Sequence, residues 1–481
     1  MEPSIEKKLT ELFLSNAELL DEGQSPLLTR PRRAALEALN LLGIPPKGPG
    51  NGDRYHYTDL RGVFGEEWEH YFTPSHPGVA PDDLPGQMHR MKFLNGFCCD
   101  ARHLTRRADG VVFGSLAAAA REYPGLVGKY YNTLPDGRGS AVAELTAAFV
   151  QDGAFVYVPR GIRVELPFAV ECGLYGDGEA VASFGRNLFI FEEGSQAQLV
   201  IDYRTLSGER NLACRTREIF IGSGARVEMV ESCRLNARSS LISASYARQQ
   251  GDSVLHGVSV GLSAGLMRNE QTVLLEGRGA ENHTNGLTIA GEQEHLDFAT
   301  DIEHIASDCT SYQLFKGLAA DGGTSVFSGR IYVAQDAQRT QAFQLLFLEL
   351  PPAQDRREQQ LCRAAEDLIE QRIRLLLLRC LLRDAGMAEE IRLTPLDGAL
   401  FHAFLDDSIG RVLVPPGGTG QPQRELLRRG IAVLPQNLHD LPLRIKQLHR
   451  VSSFQTIAIV YSQTITIVRN CQAPIFRSVS V

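Results

Sequence analysis

The sequence predicts a mainly β protein, a β-solenoid flanked by helical segments, and three observations carry that expectation. Short β-branched and aromatic runs recur from about 141 to 344: AFVYV (154–158), NLFIF (187–191), EIFIG (218–222) and TVLLE (272–276). Four similar turns, at Gly194, Gly224, Gly251 and Gly279, follow one another at spacings of 30, 27 and 28 residues. No helical run longer than a few residues interrupts them. A near-constant period of that size marks stacked repeats, since one coil cannot bury its own apolar face and must stack on its neighbours. An antiparallel sandwich would show less regular spacing and more Asn-Gly hairpins.

Each region follows from its local pattern. Residues 1–140 read as a helical and mixed region. Leu9, Leu12, Phe13, Leu19 and Leu20 recur at helical spacing, and PRRAALEALNLL (31–42) opens with a proline suited to the first helical position. Pro45 to Asp53 form a Pro/Gly loop. Asp109-Gly110 turns into Val111–Phe113, and Ser115 is placed to cap a helix through Ala117–Ala120. Within the solenoid core, 141–344, the alternation of Arg226 and Glu228 with Val227 and Met229 predicts strands with one wet face. After Gln344 the texture switches to Leu- and Arg-rich sequence such as RIRLLLLRCLLRDAG (372–386). Pro352 to Met387 are consistent with an amphipathic helix, and TIAIVYSQTITIV near the end alternates like strands.

Composition narrows the function. Apolar residues make up 43% and charged residues 22% of the 481, an ordinary globular balance. The net charge is −8, and of the 49 cations only seven are lysines. A net acidic chain has no electrostatic reason to hold bulk nucleic acid or anionic lipid. No apolar run reaches the roughly 18 residues of a membrane span, and the charged N-terminus argues against export, so a cytoplasmic protein is expected. The nine cysteines, at 98, 99, 172, 214, 233, 309, 362, 380 and 471, make no CxxC and no repeated ligand spacing. They read as reduced thiols rather than a disulfide framework or a preformed cluster cage.

Motifs with chemical content are few. Gly261-Leu-Ser263-Ala-Gly265 fits the G-x-S-x-G spacing but is followed by a strand rather than a helix, so it reads as a solenoid turn. Gly125 to Lys129 is too short for a phosphate-binding loop. The densest chemistry lies at 295–316. His295 and Asp297 share one face of a strand, and His304 and Cys309 arrive from adjacent turns. Imidazole, carboxylate and thiolate are ligand types for zinc or iron. Their spacing matches no closed metal site, which favours hydrogen bonding of turns over metal ligation.

Longer stretches carry a resemblance. LEGRGAENHTNGL (275–287), HLDFATDIEHIASDCTSYQLFKG (295–317) and VFSGRIYVAQDAQRTQAFQ (326–344) resemble the SufBD family of iron–sulfur cluster assembly proteins, on its SufD side rather than its SufB side. RYHYTDL (54–60), DGVVFGSLAAAAREYPGLVGKYYN (109–132) and AFVQDGAFVYVPRGIRVELPF (148–168) agree. The resemblance covers roughly residues 25–344. It implies a right-handed parallel β-helix, and a non-catalytic subunit working with a SufB-like partner and a SufC-like ATPase. It further implies no intrinsic cofactor, transient contact with iron or a nascent Fe–S cluster inside the complex, and a homodimer as an option without the SufB-like partner.

The resemblance stops at the tail, 345–481. The acidic stretch and the Cys-Ser-His-Gly motif that family members carry there are missing, so no interface histidine is transferred. His402, His439 and His449 stand in unrelated contexts, and only RRGIAV (428–433) is faintly similar to the family's Arg-Gly-Ile. A frameshift near codon 345 or a replaced C-terminal domain would each explain this, and the abrupt switch favours the frameshift. An out-of-frame tail would expose apolar runs and promote aggregation. Two rival functions are a β-helix carbohydrate-active enzyme, which would need clustered carboxylates on one face, and a plain structural β-solenoid.

Overall fold

A computed structural model describes residues 3–48, 54–100, 103–135, 137–320 and 322–349. From residue 350 onward the reading of the tail, with Cys362, Cys380, Cys471, His402, His439 and His449, lies outside the described residues.

The described chain is a parallel β-solenoid of seven coils with a helical layer on one side. Each coil gives one strand to each of two sheets. The first sheet stacks Ala154–Val158, Val181–Phe191, Asn211–Ile221, Ser240–Gln249, Leu266–Leu275, His295–His304 and Thr324–Val333. The second stacks Phe168–Leu174, Gln196–Thr205, Arg226–Arg234, Val254–Ser263, Glu281–Ala290, Thr310–Ala319 and Gln341–Glu349. His89–Leu94 extends the second sheet as a parallel rung beside Phe168–Leu174. The last strand runs five residues past the sequence boundary at 344, in register with Thr310–Leu318.

The corners explain the sequence period. Gly161, Gly194, Gly224 and Gly279 all have φ between 66° and 73°, where a Cβ is disfavoured. Each corner N–H then donates to the next coil: Gly194 N to Ser223 O at 2.9 Å, Gly224 N to Gly251 O at 2.8 Å, Gly279 N to Ser307 O at 3.3 Å. At the third repeat the structure corrects the sequence reading: the left-handed residue is Asp252 (φ 53°), not Gly251, and Asp252 N makes the bond to Arg278 O at 2.9 Å. Asp308 (φ 60°) continues the series. Aspartate is among the few side chains that tolerate this conformation, so the pattern slips by one residue without breaking. From the Gly194 corner onward the small residue after the corner points inward and is fully buried: Ser195, Ala225, Ser253, Ala280 and Cys309 are all 0% exposed.

Two cores result. One fills the solenoid, where inward Phe168, Phe189, Phe191, Phe298 and Phe315 meet Leu199, Leu241 and Ile302. The other lies between the outer face of the first sheet and the helices Ile5–Asp21, Arg32–Leu42, Leu116–Glu122 and Ala141–Phe149. The nine-residue helix Ala141–Phe149 precedes the first solenoid strand and is not foreseen by the sequence reading of 141–344; among the described residues no helix interrupts the strands that follow, up to residue 349. Ala141–Phe149 is buried at every position but Glu144, so its sequence carries no broad polar stripe to announce it. Ser140 caps it, and Ser115, accepting from Ala118 N at 3.1 Å, caps Leu116–Glu122, which contains the helix expected through Ala117–Ala120. Pro31 sits one place earlier than expected, as the N-cap of Arg32–Leu42.

Candidate functional site

The first sheet's outer face carries a charged cluster under the segment Arg54–Thr58. Successive outward positions of Leu266–Leu275 place Arg268 and Glu270 side by side, and the next coil adds Asp297 opposite Arg268. All three are at most 2% exposed. Arg268 Nη1 donates to Asp297 Oδ2, and its Nε donates to Glu270 Oε1 at 3.2 Å. The Tyr55 ring lies 4.9 Å from the guanidinium carbon, and Arg54 Nη2 donates to Glu270 Oε2 at 2.8 Å. Burial alone would raise the Glu270 carboxyl, but the Arg54 and Arg268 charges outweigh it and hold its pKa below the usual value. Burial, with the charge of Glu270 beside it, pushes the Tyr55 phenol well above its usual range.

His295 joins this cluster through Thr58. The Thr58 hydroxyl donates to Asp297 Oδ2 and lies 2.9 Å from His295 Nε2. With that hydroxyl proton committed to the carboxylate, the imidazole must donate from Nε2. His295 and Asp297 are therefore brought together, as their i, i+2 spacing predicts. His304 and Cys309 are not with them. His304 ends the same strand, nine residues and roughly 30 Å further along. It points inward with Nε2 2.8 Å from Ser311 Oγ, and burial pushes its pKa down to about 4. Cys309 fills the corner column, its thiol donating to Gly277 O at 3.3 Å, and burial raises its pKa.

Beside the charged cluster opens a polar cavity of about 500 Å³, lined by Arg54, Arg138, Ser140, Tyr246, Thr272, Asp301 and Arg330. Arg138 pairs with Glu303 at 2.9 Å, and Arg330 Nε donates to Asp301 Oδ1 at 2.9 Å. The six described cysteines are free thiols. Burial raises the thiol of each, to about 11 at Cys99 and about 12 at Cys172 and Cys214. At neutral pH they are protonated rather than nucleophilic thiolates. Ser263 ends a strand and donates its hydroxyl to Leu235 O at 2.8 Å, a structural turn as its context predicts. The group best able to hold a metal among the described residues is His256, Glu281 and His283, on the other sheet.

Comparison with known proteins decides the family. Residues 3–170 match the model of the SufBD protein N-terminal region, and 174–346 match that of the SUF system FeS cluster assembly, SufBD core domain. The chain belongs to the SufBD family. The iron–sulfur cluster assembly protein SufD of Bacillus subtilis is 27% identical over 244 residues, 49% of this chain and 54% of that protein. SufB of the same organism is 21% identical over 234 residues, 48% of this chain and 50% of that protein. A chloroplastic SufBD family protein of Arabidopsis thaliana, ABCI8, is 24% identical over 253 residues, 49% of this chain and 43% of that protein. The chain spans about half the length of the curated relatives it matches.

Sequence reasoning missed Thr58 and Arg268 as partners of Asp297, and Glu270 and Arg54 as the next members of the cluster. The signal was register: Arg268 and Asp297 stand 29 residues apart, one solenoid period, and both occur in stretches with charged neighbours. Thr58 comes from 239 residues away and has no such signal.

Proposed function

We propose that this SufBD protein is a SufD-type subunit of an iron–sulfur cluster assembly complex, a cytoplasmic scaffold rather than an enzyme, working with a SufB-like partner and a SufC-like ATPase. The observation that carries the SufD assignment is the higher identity to SufD than to SufB within one organism, 27% against 21%. The chemistry of the site is consistent with a supporting role. The charges of the Arg268 cluster are paired with one another, although Arg268 Nη2 and Asp297 Oδ1 are left without hydrogen-bond partners, and the described cysteines are protonated, which supports reading iron and cluster as cargo handled at a shared surface. The last coils offer such a surface: Tyr332, Val333, Phe343, Leu345 and Phe347 are each 43–51% exposed. No described helix is long and apolar enough to cross a membrane.

The test is co-expression with a SufB-like and a SufC-like protein, with an affinity tag on the SufC-like ATPase. Recovery of all three in a stable complex is expected. Recovery of the other two without this chain would overturn the proposal, and would return the chain to the reading of a plain β-solenoid.

A further inference from the structure

We propose that the outer face of the second sheet carries a divalent-cation site formed by His256, Glu281 and His283. The inference is independent of the assembly reading and rests on the solenoid register. Val254–Ser263 and Glu281–Ala290 pair in parallel with Val254 opposite Glu281 and His256 opposite His283. These positions alternate outward, so two imidazoles stand one rung apart and the carboxylate lies two residues back on the same face. One ligand atom from each residue lies within 4.8 Å of the other two. His283 Nε2 is 2.5 Å from Glu281 Oε1.

The rings are not arranged as a simple stacking ladder. Further along the same column His283 lies on Tyr312 with 20° between planes, and Tyr312 on Phe343 with 6°. Between His256 and His283 the angle opens to 70° at a centroid distance of 4.3 Å. The column thus stacks where it is aromatic and turns its rings where the two imidazoles meet a carboxylate.

Two nitrogens and one oxygen select a borderline first-row cation, Fe²⁺, Co²⁺ or Zn²⁺, over oxygen-seeking Mg²⁺ and Ca²⁺ or sulfur-seeking Cu⁺. Bonds of about 2.0–2.1 Å would set neighbouring ligand atoms roughly 3.4 Å apart in a tetrahedral site, between the 2.5 Å of the His283–Glu281 contact and the 4.8 Å limit of the group, a change within the reach of side-chain rotation. His256 is exposed, so the remaining coordination positions face solvent and the ion can exchange. This is the geometry of an open site rather than a closed structural one.

The experiment titrates the full-length chain with Co²⁺ under reducing, anaerobic conditions. Binding is followed by visible absorption and calorimetry, beside Glu281→Gln and a His256→Ala/His283→Ala double variant whose folding is checked by circular dichroism. Loss of even an outer-shell partner typically weakens a metal site about 10–100-fold, so the double variant should lose one Co²⁺ equivalent or bind it more than about tenfold more weakly. Glu281→Gln should weaken the same equivalent while leaving the stoichiometry of the others unchanged. Equal stoichiometry and affinity in wild type and double variant, or no Co²⁺ uptake by the wild type, would overturn the site.

Discussion

Arg268 is wholly enclosed, and a guanidinium survives there because Asp297, Glu270 and the Tyr55 ring surround it. Removing one member of a buried pair strands the other charge, which typically costs about 3–5 kcal/mol. Asp297→Ala should therefore lower the thermal midpoint strongly, whereas Glu193→Gln, at an exposed pair with Arg160, should barely move it. A second consequence concerns pH. The folded pKa of His304 is depressed to about 4 by burial, below its unfolded value near 6.5. The unfolded chain therefore takes up the proton first, so stability is full above about pH 6.5 and is lost as pH falls towards 4, by up to about 3 kcal/mol from this residue. Thermal midpoints measured from pH 7 to 4 should fall less steeply in His304→Gln than in the wild type. At this scale the sequence made part of the site legible. The i, i+2 spacing of His295 and Asp297 placed them on one face, since alternation is a local property. It could not separate them from His304, because four chemistry-bearing residues within 15 positions look like one cluster until the strand is known to be extended.

The solenoid corner is the element on which the fold depends. Gly224 adopts φ 66° with nothing within 4 Å of where a Cβ would stand, so Gly224→Ala costs only the backbone preference, about 1–2 kcal/mol. Gly277 is different. A Cβ there would sit 1.9 Å from Gly251 N in the neighbouring coil, so Gly277→Ala forces two coils apart and should be several-fold more damaging. Chemical denaturation of the two variants side by side checks the ranking, and equal midpoints would show that coil contact at this corner is not what holds it. The corners were legible because a left-handed residue recurring every coil leaves glycine in the sequence. Asp252 was not, since an aspartate in that conformation looks like any surface acid. The helix Ala141–Phe149 was hidden for the opposite reason, being buried at every position but Glu144.

At the scale of the whole molecule, the helical layer and the solenoid are joined by specific bonds as well as by apolar packing. Glu218, on the outer face of the first sheet, accepts the N–H groups of Asn132, Thr133 and Leu134 at 2.7, 2.9 and 3.0 Å. Glu218→Ala would leave these three donors, and the buried Arg186 guanidinium, without their acceptor and should lower the thermal midpoint and expose 130–135 to limited proteolysis. The same architecture gives the protein its two outer faces. One is covered by helices and the Arg268 cluster; the other is covered at its first coils by the segment around Leu84 and, further along, carries the more exposed His256, Glu281 and His283. The exposed part of that face and the apolar side chains of the last coils suit a subunit that works by contact with partners. The proposed role, support of cluster building on a SufB-like partner, is tested most directly by iron and acid-labile sulfide content. A SufB-like and SufC-like pair expressed with this chain should carry more cluster per SufB-like subunit than the pair expressed alone. Equal cluster content with and without the chain would contradict the account.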